Sequence, residues 1–168
     1  MMTEQQKADL TLLYQGEVFG EMFYCTLLQH FRSPKQQHLL GSLLQLETES
    51  KARVRPFAFE HDISLIESEY KRKEGAEFVR HVKDMEWIDA AASLVPISED
   101  AVADYRRIAN EAPEEWKPLA EAMVKHEFLI LDATKLAAEG EDEKAADLVS
   151  SHLVYPLPKP PSAPMNSR

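Results

Sequence analysis

Apolar residues recur along most of this chain at spacings of three and four, the period of one face of an α-helix. Over residues 3–32 the stripe reads Leu10, Leu13, Glu17, Gly20, Tyr24, Leu27 and Phe31. Over 34–61 it reads Leu40, Leu43, Glu47, Ser50, Val54 and Phe57, and over 114–138 Trp116, Ala120, Met123, Glu127, Ile130, Thr134 and Ala137. Local signals set the ends. Thr3 with Gln6, and Ser33 with Gln36, form capping boxes, and Pro34 occupies a first helical position, so the first two helices are predicted as antiparallel neighbours with almost no loop between them. Pro56 is expected to kink the second helix.

The middle of the chain is more broken. Residues 64–73 predict a short charged helix stopped before Gly75, and 76–94 a further helix interrupted by Pro96. Ser98 caps a short helix to about Asn110, and 141–153 predict a last amphipathic one. The run Tyr155-Pro156-Leu157-Pro158-Lys159-Pro160-Pro161 excludes a helix, so 154–168 are predicted as an extended tail, on its own domain or in solvent rather than in a proline-recognition module. Without strand signals or internal repeats, the fold class is all-α, with residues 1–153 as one helical bundle domain.

Composition narrows the function classes. The chain has 168 residues, enough for one self-sufficient core, and only five glycines. Nineteen cationic against 29 acidic side chains give a net charge of −10, which argues against nucleic acid or an anionic membrane as partner. The single cysteine, Cys25, excludes an internal disulfide and a thiolate zinc site and points to a reducing cytoplasm. No apolar run reaches the roughly 18 to 20 residues of a membrane span, and residues 1–7 lack a signal-peptide pattern, so a soluble protein is expected.

The chemistry lies in the stripes. Each of the three long ones carries a single glutamate at its centre: Glu17, Glu47 and Glu127. A carboxylate taken out of water pairs with a cation, ligates a metal or takes up a proton. Glu17 lies 16 residues before Ser33 and Glu47 14 after it. At 1.5 Å per residue they stand about 24 and 21 Å from the turn, at nearly one height. Glu21, four residues after Glu17, and Glu86, with Asp89 three residues on, are the spare carboxylates for a hard cation. His126, adjacent to Glu127, is expected to point about 100° away from it. Lys51, Arg53, Arg80 and Lys125 are the alternative, as ion-pair partners beside the hydroxyls of Tyr14 or Tyr24. His30, His38, His61, His81 and His152 read as solvated, Cys25 as a structural thiol, and no hydrolase triad, phosphate loop or zinc motif occurs.

Three segments carry a family resemblance: Tyr14-Gln15-Gly16-Glu17, Leu46-Glu47-Thr48-Glu49-Ser50-Lys51 and His126-Glu127. Over about 10–138 the chain resembles the ferritin-like superfamily, in particular its rubrerythrin-like and small di-iron carboxylate branches. In that family a glutamate from each of two helices and a Glu-x-x-His motif from each of two others hold two irons in the bundle core. The resemblance implies an antiparallel ferritin-like four-helix bundle with short additional helices. It assigns the lone first-helix glutamate to Glu17 and the motif glutamates to Glu47 and Glu127. Ser50 and Ile130 stand where the motif histidines would be. Two functions remain open: a non-haem di-iron or dinuclear-metal oxidoreductase, with iron or manganese on Glu17, Glu47, Glu127 and Glu21 or Glu86, or a metal-free scaffold that binds a partner or small ligand. A homodimer is expected in either case.

Overall fold

The structure is a computed structural model that describes residues 2–161. Among them the chain forms helices α1 (Glu4–Leu27), α2 (Pro34–Glu60), α3 (Glu69–Phe78), α4 (Trp87–Glu111), α5 (Lys117–Ala138) and α6 (Asp142–Ser150), with one 3₁₀ turn at Val79–His81 and no strand. None of the helices is long and apolar enough to cross a membrane.

Both capping boxes form. Thr3 Oγ1 accepts from the Gln6 N–H at 3.1 Å while Gln6 Oε1 accepts from the Thr3 N–H at 2.9 Å, and Ser33 and Gln36 repeat the exchange at the start of α2. Helix α1 stops before the expected Arg32. The Gln37 amide donates to the carbonyls of Leu28 and Phe31 at 2.7 and 2.6 Å, which ties the connection to α2.

The middle of the chain departs from the expectation at Pro96 and Gly75. Pro56 lies inside α2, which runs on to Glu60 as expected, but Pro96, expected to interrupt, also lies inside a continuous helix. α4 packs along α5, and that burial outweighs the single backbone bond that Pro96 removes. Ser98 starts no new helix; its hydroxyl donates to the Leu94 carbonyl at 3.2 Å. Gly75 does not stop a helix either. It sits inside α3 against the backbone of Phe19, where a Cβ atom would meet the Phe19 carbonyl, so the glycine lets α3 lie close on α1. The break falls instead over 79–86, and 76–94 are not one helix.

α1 packs on α2 and on α3, α4 on α5, and α6 bridges α2 and α5. All the seam positions of the three long stripes are buried except Phe57, which is half-buried. The apolar core falls into two clusters. One holds Leu10, Leu13, Val18, Val54, Ile108, Trp116 and Met123. The other holds Phe23, Leu27, Leu40, Leu46, Ile130 and Ala133. The change from one cluster to the other falls at residues 19–22 on α1, just after Glu17, at 47–53 on α2 and at 124–128 on α5. A polar layer lies between them.

Past α6 the chain runs back over α2. The Val154 and Tyr155 N–H groups donate to the Glu49 carboxylate at 2.8 and 3.0 Å, and Lys159 pairs with Asp147 at 2.6 Å. The described part of the tail therefore lies on its own domain, and residues 162–168 of the predicted tail fall outside the described residues.

The close approach at Gly75 is testable. Replacing Gly75 by Ala overpacks the α1–α3 contact and should cost about 1–3 kcal/mol. The thermal midpoint should fall by about 2–4 °C for each kcal/mol, read by circular dichroism, and an unchanged midpoint would contradict the contact.

Candidate metal centre

The polar layer is assembled from all four long helices. Glu17 comes from α1, Glu47 and Ser50 from α2, Tyr105 from α4, and His126 and Glu127 from α5; every one is buried. His126 departs from the expected outward direction. α5 touches α2, α4 and α6, so its buried face is wide enough to turn two successive residues inward. His126 Nε2 lies 3.2 Å from Glu17 Oε2, 3.5 Å from Glu47 Oε2 and 3.8 Å from Glu127 Oε1. On its other side, Nδ1 is 2.8 Å from the Ser50 hydroxyl. Ser50 of α2 thus holds a histidine that arrives from α5.

Two glycines make the layer possible. A Cβ atom on Gly20 would run into the Glu47 carboxylate, and one on Gly16 would lie 2.5 Å from the Tyr105 hydroxyl. The bare backbone of α1 lets both groups close in around Glu17. Tyr105 donates its hydroxyl to Glu17 Oε1 at 3.1 Å. Sequence reasoning missed this tyrosine because it divided α4 at Pro96 and laid no seam along it.

The site carries a specific mark of incompleteness. Glu17 Oε2 and His126 Nε2 are buried and have no hydrogen-bond partner, although they are 3.2 Å apart. A proton on Nε2 would not point at that oxygen in hydrogen-bond geometry. Assigning the Nδ1 proton to the Ser50 contact leaves the Nε2 lone pair facing the carboxylates, which is the form of histidine that ligates metals. Glu17, Glu47 and His126 each offer one ligand atom, all within 4.8 Å of one another. A nitrogen with carboxylate oxygens suits iron or manganese, so the residues fit a metal ion.

Electrostatics point the same way. Burial pushes the Glu17 carboxyl well above the ordinary range; nearby His126 opposes this, and Glu47 and Glu127 reinforce it. Glu47 is raised by burial and then by Glu127. Glu127 is raised by burial, against His126 and the Tyr105 hydroxyl. Burial, followed by the neighbouring carboxylates, also raises Tyr24 and Tyr105. Among the described residues, no ion pair of a lysine or arginine reaches Glu17, Glu47 or Glu127.

The remaining expected residues lie elsewhere. Glu21 accepts from the Thr48 hydroxyl at 2.6 Å and pairs with buried Lys51, which also pairs with Glu67, so both are committed to a neighbouring network, from which the Glu21 charge still helps to raise Glu47. Glu86 is exposed at the N-cap of α4, because the chain breaks just before it, and Asp89 is exposed beside it. Arg53, Arg80 and Lys125 are exposed. Tyr14 donates to the Leu65 carbonyl at 2.9 Å, away from the layer. His30, His81 and His152 are exposed, whereas His38 and His61 are half-buried with enclosed Nε2 atoms.

No family model matches the chain, and no curated protein does. Its structure is similar to that of a hypothetical protein from Methanococcus jannaschii, with a TM-score of 0.66 and 17% identity over 91% of this chain and 96% of that one. At that identity the likeness shows the helical fold alone.

A pH dependence follows from the buried acids. In the metal-free folded chain Glu17 and Glu47 hold protons that the unfolded chain has released above the ordinary carboxylate range. Their contribution to stability is full below that range and is lost as pH rises through the raised folded values. Metal-free protein should melt at a higher temperature near pH 5 than near pH 8. One retained proton is worth about 1.4 kcal/mol for each pH unit. The double variant Glu17→Gln, Glu47→Gln should show a clearly smaller difference, and an equal difference in both proteins would contradict the assignment.

Proposed function

We propose that the chain is a ferritin-like bundle protein that holds iron or manganese on Glu17, Glu47, Glu127 and His126 and works as a non-haem metal oxidoreductase on a small molecule. The observation that carries this reading is the pair of buried ligand atoms, Glu17 Oε2 and His126 Nε2, that no protein donor or acceptor partners as charged groups and that lie within 4.8 Å of a Glu47 oxygen. Leaving such atoms unsatisfied in an apolar core costs about 1–3 kcal/mol each, and more where one is charged. A cation at their meeting point removes that cost. The contribution of four long helices to one layer supports the ferritin-like arrangement.

The departures from the family pattern shape the proposal. One imidazole and three carboxylates replace two imidazoles and four carboxylates, which favours one ion over the expected two. The imidazole comes from the position before the α5 glutamate instead of three after it, and Ser50 fixes its ring from α2.

A bound iron or manganese ion supplies redox and Lewis-acid chemistry. The chain's own residues do the rest. Ser50 sets the His126 ring so that Nε2 faces inward, and Tyr105 steers Glu17 through one carboxylate oxygen and leaves the other free. Glu127, with Glu47 and Tyr105, borders a cavity of about 210 Å³. The two apolar clusters above and below keep water from the layer.

Protein purified without chelator or affinity metal should contain about one iron or manganese per chain by elemental mass spectrometry. His126→Ala and Glu47→Gln should lose it with helicity retained, and Ser50→Ala should weaken metal binding about 10–100-fold. Metal absent after anaerobic reconstitution with ferrous or manganous ion, or equal in the variants, would contradict the proposal and leave a metal-free scaffold with neutral buried acids.

A further inference from the structure

The Tyr105 hydroxyl on Glu17 and the Arg107–Asp9 ion pair join α4 to α1, and beyond Tyr105 the space between the two helices is the cavity beside the carboxylate layer. Its lining on α1 runs from Gly16 to Leu27, about 16 Å of helix. It is therefore elongated. At about 210 Å³ it exceeds the volume of about 150 Å³ at which an apolar protein cavity takes up benzene. One end is the layer itself, with Glu47, Glu127 and Tyr105; beyond it the walls are Phe23, Leu43, Leu94, Ala101, Ile130 and their neighbours. Half-buried Phe19, Phe78 and Leu94 and the exposed Ile97 border it, so it opens between α1 and α4 rather than into the core.

The polar side chains along this wall offer a ligand little. Thr134 donates its hydroxyl to the Ile130 carbonyl at 2.8 Å, and Ser98 donates to Leu94 at 3.2 Å. The Trp87 indole N–H donates to Asp142 at 2.7 Å, which leaves the cavity the apolar body of its ring. No lysine or arginine lines the cavity, so an anionic headgroup meets carboxylates and the hydroxyls of Tyr24 and Tyr105 but no cation. Closing such a volume with apolar atoms gains hydrophobic and dispersion energy, an anionic group inside it is desolvated without a partner, and a cationic one meets only carboxyls that the proposed metal engages.

We propose that this cavity is the binding site for a neutral, elongated apolar small molecule, a medium-length aliphatic or alkyl-aromatic compound, held by the walls of α1, α2, α4 and α5 with one end against the carboxylate layer. Binding itself needs no metal. That the bound molecule is the substrate rests on the proposed oxidoreductase function.

The test is displacement of the fluorescent probe N-phenyl-1-naphthylamine by octan-1-ol, octanoate and octylamine, on protein as purified and after metal removal. Octan-1-ol should displace the probe saturably in both forms and more tightly than either charged analogue. Ala101→Phe, at a wall position that is none of the proposed ligands, should weaken probe binding at least tenfold with metal content and melting temperature retained. Leu94→Ala, which lengthens the free space, should shift the preference towards decan-1-ol. Absent probe binding, or binding unmoved by both substitutions, overturns the proposal. Tighter binding of octylamine or octanoate overturns its neutral class. Displacement in a protein that takes up no metal supports the cavity and contradicts the metal centre, whereas metal uptake without displacement does the reverse.

Discussion

Four ionisable side chains, three carboxyls and an imidazole, are buried at one height in an otherwise apolar bundle, and most of the design answers to that constraint. Three carboxylates without a cation repel one another and each forfeits its hydration, so the layer exists only if they are protonated or share a positive charge. The chain's lysines and arginines do not supply that charge. Lys51, the one buried lysine, is committed to Glu21 and Glu67, where it ties α1, α2 and the segment before α3 together. What remains is a proton or a metal ion, and the two unpartnered ligand atoms favour the metal.

The surrounding structure reads as support for that layer. Gly16 and Gly20, one turn apart on α1, give up side-chain packing so that Tyr105 and Glu47 can approach Glu17. The Ser50 hydroxyl meets the back of the His126 ring. Apolar clusters seal the layer from both ends of the bundle, and the gap between α1 and α4 leaves one apolar approach to it. An oxidoreductase centre of the proposed kind needs these features together: fixed ligands, excluded water and an entry for a small molecule.

Much of this was legible in the amino-acid sequence, for a physical reason. Helical periodicity reports which face is buried, and a glutamate at the centre of an apolar stripe stands out against it; Glu17, Glu47 and Glu127 were found in that way. Periodicity fails where a helix is buried on more than one side. On α5 the residues Leu119, Met123, His126, Ile130 and Ala133 form a second stripe, and laying it out would have exposed His126. Tyr105 was lost because Pro96 was given the power to end a helix that tertiary packing carries through. Glu86 was drawn in by the opposite error, a helix assumed continuous over 76–94 where the chain turns at 79–86. Gly75 shows the common cause: a glycine or proline marks a local backbone demand, but only the neighbouring helix decides whether that demand is a stop or a close contact.

The protonation and ligation state of the His126 ring distinguishes a metal centre from a buried ion pair most directly. Nitrogen-15 NMR of the imidazole, followed while zinc is added as a diamagnetic stand-in for the native metal, reads both nitrogens at once. A metal centre requires Nδ1 to keep its proton towards Ser50, with Nε2 unprotonated in the metal-free protein and shifted on stoichiometric zinc addition. An imidazolium protonated at both nitrogens and indifferent to zinc would show that the histidine is itself the cation among the three carboxylates, and would contradict the account.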